Sequence, residues 1–348
     1  MKELKLGIIG FGFMGKWHYN HAGKLDNIKV TAVCDIDPDK LSAAEEGVSV
    51  YTDYHALLED PNVETVMISV PNYLHRQVAV AAANARKNII VEKPVAMNVE
   101  EFDAIEEAAR RNCVIFTIHQ NRRWDKDYLI VKKAFRENLL GKVFHIQSSL
   151  YGIFGLVHDW HVEKRLGGGM MYDWGVHLID QLLDLIPGKV TSVSADIRTI
   201  VNREVDDYYR LLFHFEDGHT ACIELGTYLL KPVPRWYVAG ENGTLSIDNF
   251  LGEGTIYRSS GLLEKLPEQP ANVDSGPTRT FSTKPDGIVF TEALPEAAGE
   301  WNDFFRNYLQ VINNEAELIV KPEQARRVLA LMEAAWKASE AGKSVDFE

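Results

Sequence analysis

Asp173 and His177 stand four residues apart, behind a run of three glycines, in the stretch Gly167-Gly168-Gly169-Met170-Met171-Tyr172-Asp173-Trp174-Gly175-Val176-His177. On a helix that spacing sets a carboxylate and an imidazole on one face, one turn apart. A general base and its orienting partner need that arrangement. The glycines carry no side chains, so a ligand or a second strand could approach the backbone there. Beyond them Trp174, Val176, Leu178, Ile179, Leu182, Leu183 and Ile186 give a helix an apolar surface for a core, and Pro187-Gly188 stop it. The plainer reading of the same residues is a helix start whose acid is favoured by the dipole and whose histidine is satisfied in the core.

Lys93 is a second candidate. It stands at the mouth of the short apolar strand 89–91, between Glu92 and Pro94, an awkward place for a flexible cation unless something uses it; the alternative is that it snorkels to solvent. A third signal is Gly10-Phe11-Gly12-Phe13-Met14-Gly15. It follows the strand 6–9 and opens a helix over 14–22, the context in which a glycine fingerprint binds a dinucleotide. The next strand, 30–34, ends at Asp35, placed to accept hydrogen bonds from the adenosine ribose. Asp37 follows and no Lys or Arg comes before Lys40, so a 2′-phosphate would meet negative charge: NAD is expected over NADP.

The elements that must position these groups alternate. Strands at 48–51, 66–70, 89–91 and 114–118 are separated by helical segments, one of them 100–112, which predicts a doubly wound parallel sheet. Ligands of such sheets lie beyond the carboxyl ends of the strands, where Gly12, Asp35, Asn72, His75, Lys93 and Asn121 all fall. After about Trp124 the pattern changes. A helix at 127–138 and a strand at 143–151 lead to the His158-Asp159-Trp160-His161 loop and the central stretch. Strands at 190–201, 207–215, 219–228, 235–239 and 244–247 then follow, with turns at Glu216-Asp217-Gly218 and Gly240–Gly243. Residues 251–290, rich in Gly, Pro and Ser, read as irregular; 300–314 and 322–341 read as helices. The fold class is therefore α/β: a Rossmann domain over 1–123 and a second α/β domain over 124–348 with a large open, mostly antiparallel sheet. The last helices are placed to pack back on the first domain.

Composition narrows the partners. Lys and Arg number 37 against 50 Asp and Glu, a net charge of −13, which argues against nucleic acid, whose affinity comes from phosphate neutralisation. No apolar run approaches a membrane span. The first residues enter a strand without a signal peptide's apolar region, and three isolated cysteines suit a reduced compartment, so a cytoplasmic protein is expected. Residues such as Tyr208-Tyr209-Arg210-Leu211-Leu212-Phe213 put apolar groups on both faces of a strand, which predicts that a second copy covers the open sheet in a dimer or tetramer.

Three of these motifs, in this order and spacing, resemble the Gfo/Idh/MocA family of glucose–fructose oxidoreductase and inositol dehydrogenase: the glycine fingerprint, Glu92-Lys93-Pro94, and Gly168-Gly169 leading to Asp173-x-Gly175-x-His177-x-x-Asp180. The resemblance spans essentially the whole chain. It implies NAD(P)-dependent oxidation of a ring hydroxyl on a sugar, glycoside or inositol-type cyclitol, with Lys93, Asp173 and His177 catalytic. Asn72 and His75 match the family's Pro-Asn-x-x-His pattern near the nicotinamide. The cofactor is expected to touch Gly10, Phe11, Gly12, Phe13, Met14, Gly15, Asp35, Ile36, Val70, Pro71, Asn72, His75, Glu92, Lys93, Pro94 and Asn121. The substrate is expected against Lys93, Arg122, Trp124, Tyr151, His158, Trp160, Asp173 and His177. Two other readings stand beside this one: an NAD-using glycosidase that oxidises the ring transiently, and a non-catalytic sugar or nucleotide sensor. A metal site drawn from His158, His161, His177 and Asp180 ranks low, since the spacing matches no metal motif.

Overall fold

Short apolar strands that alternate with helices can bury both faces only in a parallel sheet with helices on each side. The first part of the chain does so. The structure, a computed structural model, describes residues 3–152, 159–260, 271–273, 276–278 and 287–348. Strands β1 (Leu4–Ile9), β2 (Ile28–Cys34), β3 (Ser49–Tyr51), β4 (Thr65–Ile68), β5 (Asn88–Val91) and β6 (Phe116–Ile118) form a parallel sheet in the order β3-β2-β1-β4-β5-β6. The order reverses at β1, which is the switch point where such sheets bind ligands. Helices α1 (Phe13–Ala22), α2 (Pro38–Leu41), α3 (Tyr54–Glu59), α4 (His75–Asn84) and α5 (Val99–Asn112) connect the strands. Helix α5 shows how local chemistry sets an element. The Asn98 side chain accepts from Glu101 N–H at its start, and arginines 110 and 111 sit at its carbonyl end.

Helix α6 (Lys126–Arg136) leads into β7 (Val143–Tyr151). After a π-helical turn at Met171–Gly175 comes α7 (Val176–Leu185), then β8 (Val190–Arg198), β9 (Tyr208–Phe215), β10 (Thr220–Gly226), β11 (Trp236–Gly240), β12 (Gly243–Ile247) and β13 (Gly254–Ser259). A small hairpin, β14 (Ala271–Val273) with β15 (Gly276–Thr278), precedes β16 (Val289–Glu292). Helices α8 (Asp303–Ile312) and α9 (Pro322–Ala341) and the short β17 (Val345–Asp346) follow. The second sheet runs β16-β13-β12-β11-β7-β10-β9-β8-β17 and is antiparallel except where β7 meets β10. Part of residues 251–290, expected to be irregular, is thus β13 and the start of β16. Their signal is the single buried Ile256 in Thr255-Ile256-Tyr257, too short an alternation to stand out among glycines.

One face of this sheet is apolar: Tyr209, Leu211 and Phe213 of β9 and Ala221, Ile223 and Leu225 of β10 are buried. Helix α9 packs across β8. The alternate residues, Arg210, Leu212 and His214 with Gln147, Thr220 and Tyr237, occupy the other face, which is a mixture of polar and apolar groups rather than the doubly apolar strand the sequence suggests. The last helices join the two sheets. Tyr308 of α8 meets Thr65 of β4 at 3.2 Å, Thr117 Oγ1 donates to Val320 O at 2.8 Å, and Val99 N–H donates to Glu333 of α9 at 2.8 Å. Among the described residues no helix is long and apolar enough to cross a membrane.

Candidate active site

The carboxyl ends of β1, β2, β4 and β5 open into a cavity of about 840 Å³. At one end lies the glycine turn. Gly10 has φ +91°, and a side chain there would strike the Ser69 carbonyl at 2.5 Å. Gly15 lets α1 settle on the turn, since an added Cβ would fall 1.9 Å from Gly10 O, whereas a Cβ at Gly12 would meet nothing within 4 Å. That open position in a cavity wall is the cradle a pyrophosphate needs. Phe13, Met14, Ile36, Val70, Pro71 and Pro94 line the same space. Phe11 does not; its ring packs edge-on against Tyr19 in the core and its N–H donates to Asp35 Oδ2 at 2.8 Å.

Asp35 is nearly buried at the cavity wall, with Oδ1 taking the Asp37 N–H at 3.0 Å and Lys40 Nζ at 3.4 Å. Asp37 itself turns away to cap α2 through the Asp39 N–H. The second carboxylate lining this end is Asp53, which the sequence analysis did not single out. Lys40 lines it too.

At the other end Lys93 Nζ donates to Asp173 Oδ1 at 2.8 Å and to the Asp173 carbonyl at 3.0 Å. Their side chains stay 20% and 28% exposed, and both line the cavity. Burial disfavours the Asp173 carboxylate, but the Lys93 charge and hydrogen bond outweigh it and hold its pKa below the usual value. Asp173 is therefore the partner of Lys93 and not, as the four-residue spacing suggests, of His177. The cause is the π-helical turn, in which Val176 N–H reaches back five residues to Met171 O, so the helical geometry assumed from the spacing does not hold.

His177 is 4% exposed, and its Nδ1 lies 3.0 Å from Gln120 Oε1. With the amide oxygen on that side, Nδ1 donates to it and Nε2 is left free to accept. Burial, then the charges of Lys93 and Arg122, hold its pKa well below 6.5, so the ring is neutral at neutral pH. Gln120, just past β6, was passed over in the sequence because an amide gives no titration signal; its place at a strand's carboxyl end was the available clue.

Asn72 and His75 line the cavity and also brace it. Asn72 Nδ2 donates to Gly167 O at 2.8 Å, and the His75 ring lies between the Pro94 and Val70 carbonyls at 2.7 and 2.9 Å. The glycine run is tight packing rather than open backbone. A Cβ at Gly168 would fall 2.1 Å from His161 O, and one at Gly169 (φ +104°) 2.2 Å from Asp206 Oδ1. Trp160 and His161, stacked at 3.8 Å, and Tyr172 complete the wall near Lys93.

Several expected contacts lie elsewhere. Asn121 opens a 3-10 turn and is not in the lining. Arg122 stacks on Trp174 at 4.0 Å and pairs with Asp125 at 3.0 Å; it and His177, which lies behind Lys93 and Asp173, are both outside the lining. Trp124 packs edge-on against Phe304. Tyr151 donates to Glu224 at 2.6 Å on the open face of the second sheet, because strand alternation turns it the same way as Gln147 and Ser149. His158 lies outside the described residues. Asp180 is taken by Arg123 at 2.6 Å.

Residues 4–120 match the oxidoreductase family with an NAD-binding Rossmann fold, and residues 128–246 match the C-terminal domain of the same Gfo/Idh/MocA family. The chain belongs to the Gfo/Idh/MocA family. It is an NAD(P)-dependent oxidoreductase of that family. An NAD-binding protein from Listeria innocua has the same fold, with a TM-score of 0.95 and 39% identity over 99% of this chain and 100% of that one. The chain is 25% identical to scyllo-inositol 2-dehydrogenase (NADP(+)) of Bacillus subtilis over 99% of its own length and 96% of the relative's. It is 29% identical to myo-inositol 2-dehydrogenase of Thermotoga maritima over 71% of this chain and 75% of that one. The family match gives the cavity its cofactor class, a nicotinamide dinucleotide.

Proposed function

We propose that this oxidoreductase oxidises a ring hydroxyl of a sugar, glycoside or cyclitol, with NAD as the preferred cofactor. The observation that carries the reading is the convergence, at one cavity, of the open glycine turn, the ribose-end carboxylate Asp35 and the Lys93–Asp173 pair. The inositol dehydrogenases among its relatives support the substrate class.

A nicotinamide dinucleotide held along Gly12, Asp35 and Pro71 would supply the hydride acceptor. The chain's own residues manage the proton and the oxygen. Lys93, braced by Asp173, donates a hydrogen bond to the substrate hydroxyl oxygen and stabilises the negative charge it gains. His177, neutral and oriented by Gln120, takes the hydroxyl proton at Nε2. Trp160, His161 and Tyr172 limit water at this end. At the other end Asp35 accepts from the ribose hydroxyls. A 2′-phosphate would face Asp35 and Asp53 with only Lys40 to offset them. A second copy of the chain, covering the open face of the nine-stranded sheet, makes the working unit a dimer or tetramer.

The test is NAD reduction by the purified protein across a panel of inositols, aldoses and glycosides. Reduction with at least one polyol, and a higher kcat/KM with NAD than with NADP, is expected; no reduction with any of them overturns the reading. Glycoside cleavage without net NAD reduction would instead favour the transient-oxidation chemistry. Asp35→Ser with Ile36→Arg should move the preference toward NADP, since Ile36 lines the cavity beside Asp35. A monomer in light scattering would remove the assembly from the proposal.

A further inference from the structure

Behind Lys93 lies a cluster that the reaction as described does not use. Glu92 lines the cavity beside Lys93, and its carboxylate lies between α1, the end of β6 and α8. Its Oε1 meets His18 Nε2 at 2.7 Å and His119 Nδ1 at 3.0 Å, while Oε2 takes the backbone N–H of Lys93 at 3.1 Å. Glu92 is 5% exposed and both histidines are fully buried. Trp301, Phe304 and Phe305 wall the rings off, with ring centres 4.7 to 5.9 Å from one or other imidazole. Such a setting screens charge poorly, so a carboxylate there acts at longer range than one at the surface.

The three residues are also the one group of possible metal ligands among the described residues, with ligand atoms within 4.8 Å of one another. The geometry favours hydrogen bonds. Both ring nitrogens converge on a single carboxylate oxygen at donor–acceptor distance, and the remaining nitrogens, His18 Nδ1 and His119 Nε2, have no hydrogen-bond partner. Each ring then directs an N–H at Glu92, whose carboxylate can only accept.

We propose that Glu92, gripped by His18 and His119, is a positioning residue for the reaction: it fixes the Lys93 backbone and places a negative charge behind the group that receives the substrate proton. The inference rests on the reading of Lys93 and His177 given above. The titratable groups around the carboxylate are His18 on α1, His119 beyond β6, His75 on α4, Lys93 and His177 on α7; Arg122 also acts on His177. Burial lowers the His18 pKa to about 4, which keeps that ring neutral. Burial raises the Glu92 carboxyl, but the two histidine contacts more than reverse this and keep it ionised. The anion is thus held in place by the two ring contacts and the Lys93 N–H. An imidazolium forming on His177 as the alcohol loses its proton is stabilised by it, and so is the Lys93 ammonium.

Glu92→Gln and Glu92→Asp separate charge from contact. In Glu92→Gln the amide can turn its NH2 to the two rings, which switch tautomer, while its oxygen accepts the Lys93 N–H; shape persists and charge is lost. Glu92→Asp keeps the charge and draws the carboxylate back by one methylene. The expected result for Glu92→Gln is a kcat lower by about tenfold or more and an acid limb of kcat/KM displaced to lower pH. The loss in kcat should exceed any loss in NAD affinity, since Glu92 also lines the cavity. Glu92→Asp should lose some kcat but keep the wild-type limb. A Glu92→Gln enzyme with wild-type kcat and limb overturns the proposal, and so does an equal displacement of the limb in both variants. If Glu92→Gln does not fold, Glu92→Asp decides: lowered kcat on the wild-type limb supports the role and unchanged kcat refutes it. NMR titration of the His177 ring, expected to protonate at lower pH in Glu92→Gln, needs no turnover. It remains readable if no polyol proves to be a substrate, so failure of the proposed activity and failure of this inference are told apart. Stoichiometric zinc in the purified protein, lost in His119→Ala, would replace the inference with a metal site.

Discussion

Two carboxylates seven positions apart have opposite circumstances. Asp180 on α7 meets Arg123 through two short hydrogen bonds, 2.6 and 2.7 Å, and both side chains are 2% exposed. Arg123 also donates to Ile319 O and Gln324 Oε1, so the guanidinium fork joins the end of β6, α7 and the start of α9. Asp173 meets Lys93 through one side-chain contact, and the pair remains partly open to the cavity. A sealed pair with its donors spent holds elements together; an accessible ammonium with a donor to spare can meet a ligand. Charge and sequence motif alone do not separate the two, since Asp173 and Asp180 stand in the same run. Exposure and unspent hydrogen bonds do.

The comparison can be broken in four ways. Lys93→Ala and His177→Ala should each lower kcat by about 10²–10⁴ with little change in NAD affinity or melting temperature. Near-normal turnover in His177→Ala would move the base elsewhere. Arg123→Ala should instead destabilise the fold by about 3–5 kcal/mol, the cost of leaving a buried charge unpaired, as measured by denaturant unfolding; a loss confined to kcat would contradict the division.

The His18–Glu92–His119 cluster extends the contrast to pH. His18 has a folded pKa of about 4 against about 6.5 unfolded, so between those values the unfolded chain binds the extra proton. Stability then rises with pH across this window and is lost as pH falls from about 6.5 to about 4, by roughly 3 kcal/mol from this ring. Unfolding curves at pH 4.5 and 7 check it, and equal stability at both would contradict the assignment. The smallest effect is expected for Asp173→Asn. Its kcat should fall only about tenfold, the loss of one charge-assisted hydrogen bond, and a drop as large as that of Lys93→Ala would make Asp173 more than a brace.

The nucleotide half was legible because each requirement leaves its mark locally: β1, a glycine turn, α1, β2, then Asp35. The site's other half was legible only as residue types. Lys93, Asp173 and His177 could be picked out, but not who partners whom, because the π-helical turn at Met171–Gly175 leaves no periodic trace. The glycine run left two close approaches open, a ligand or another segment of the chain, for a related reason. Whether a bare backbone faces a ligand or His161 and Asp206 depends on segments far along the chain. His18 is silent in the sequence, a polar residue on the buried side of α1 whose partners come from β5 and β6.

The C-terminal helices have a bearing on synthesis. The Thr65 and Thr117 hydroxyls and the Val99 N–H find their partners in residues 308–333. A nascent chain that has emerged as far as residue 300 therefore carries all six strands of its first sheet while the side that receives α8 and α9 stays bare. The order of translation leaves the nucleotide half waiting for a segment made well after it, and a fragment cut after residue 124 would expose the surface that Phe304, Phe305 and Tyr308 cover.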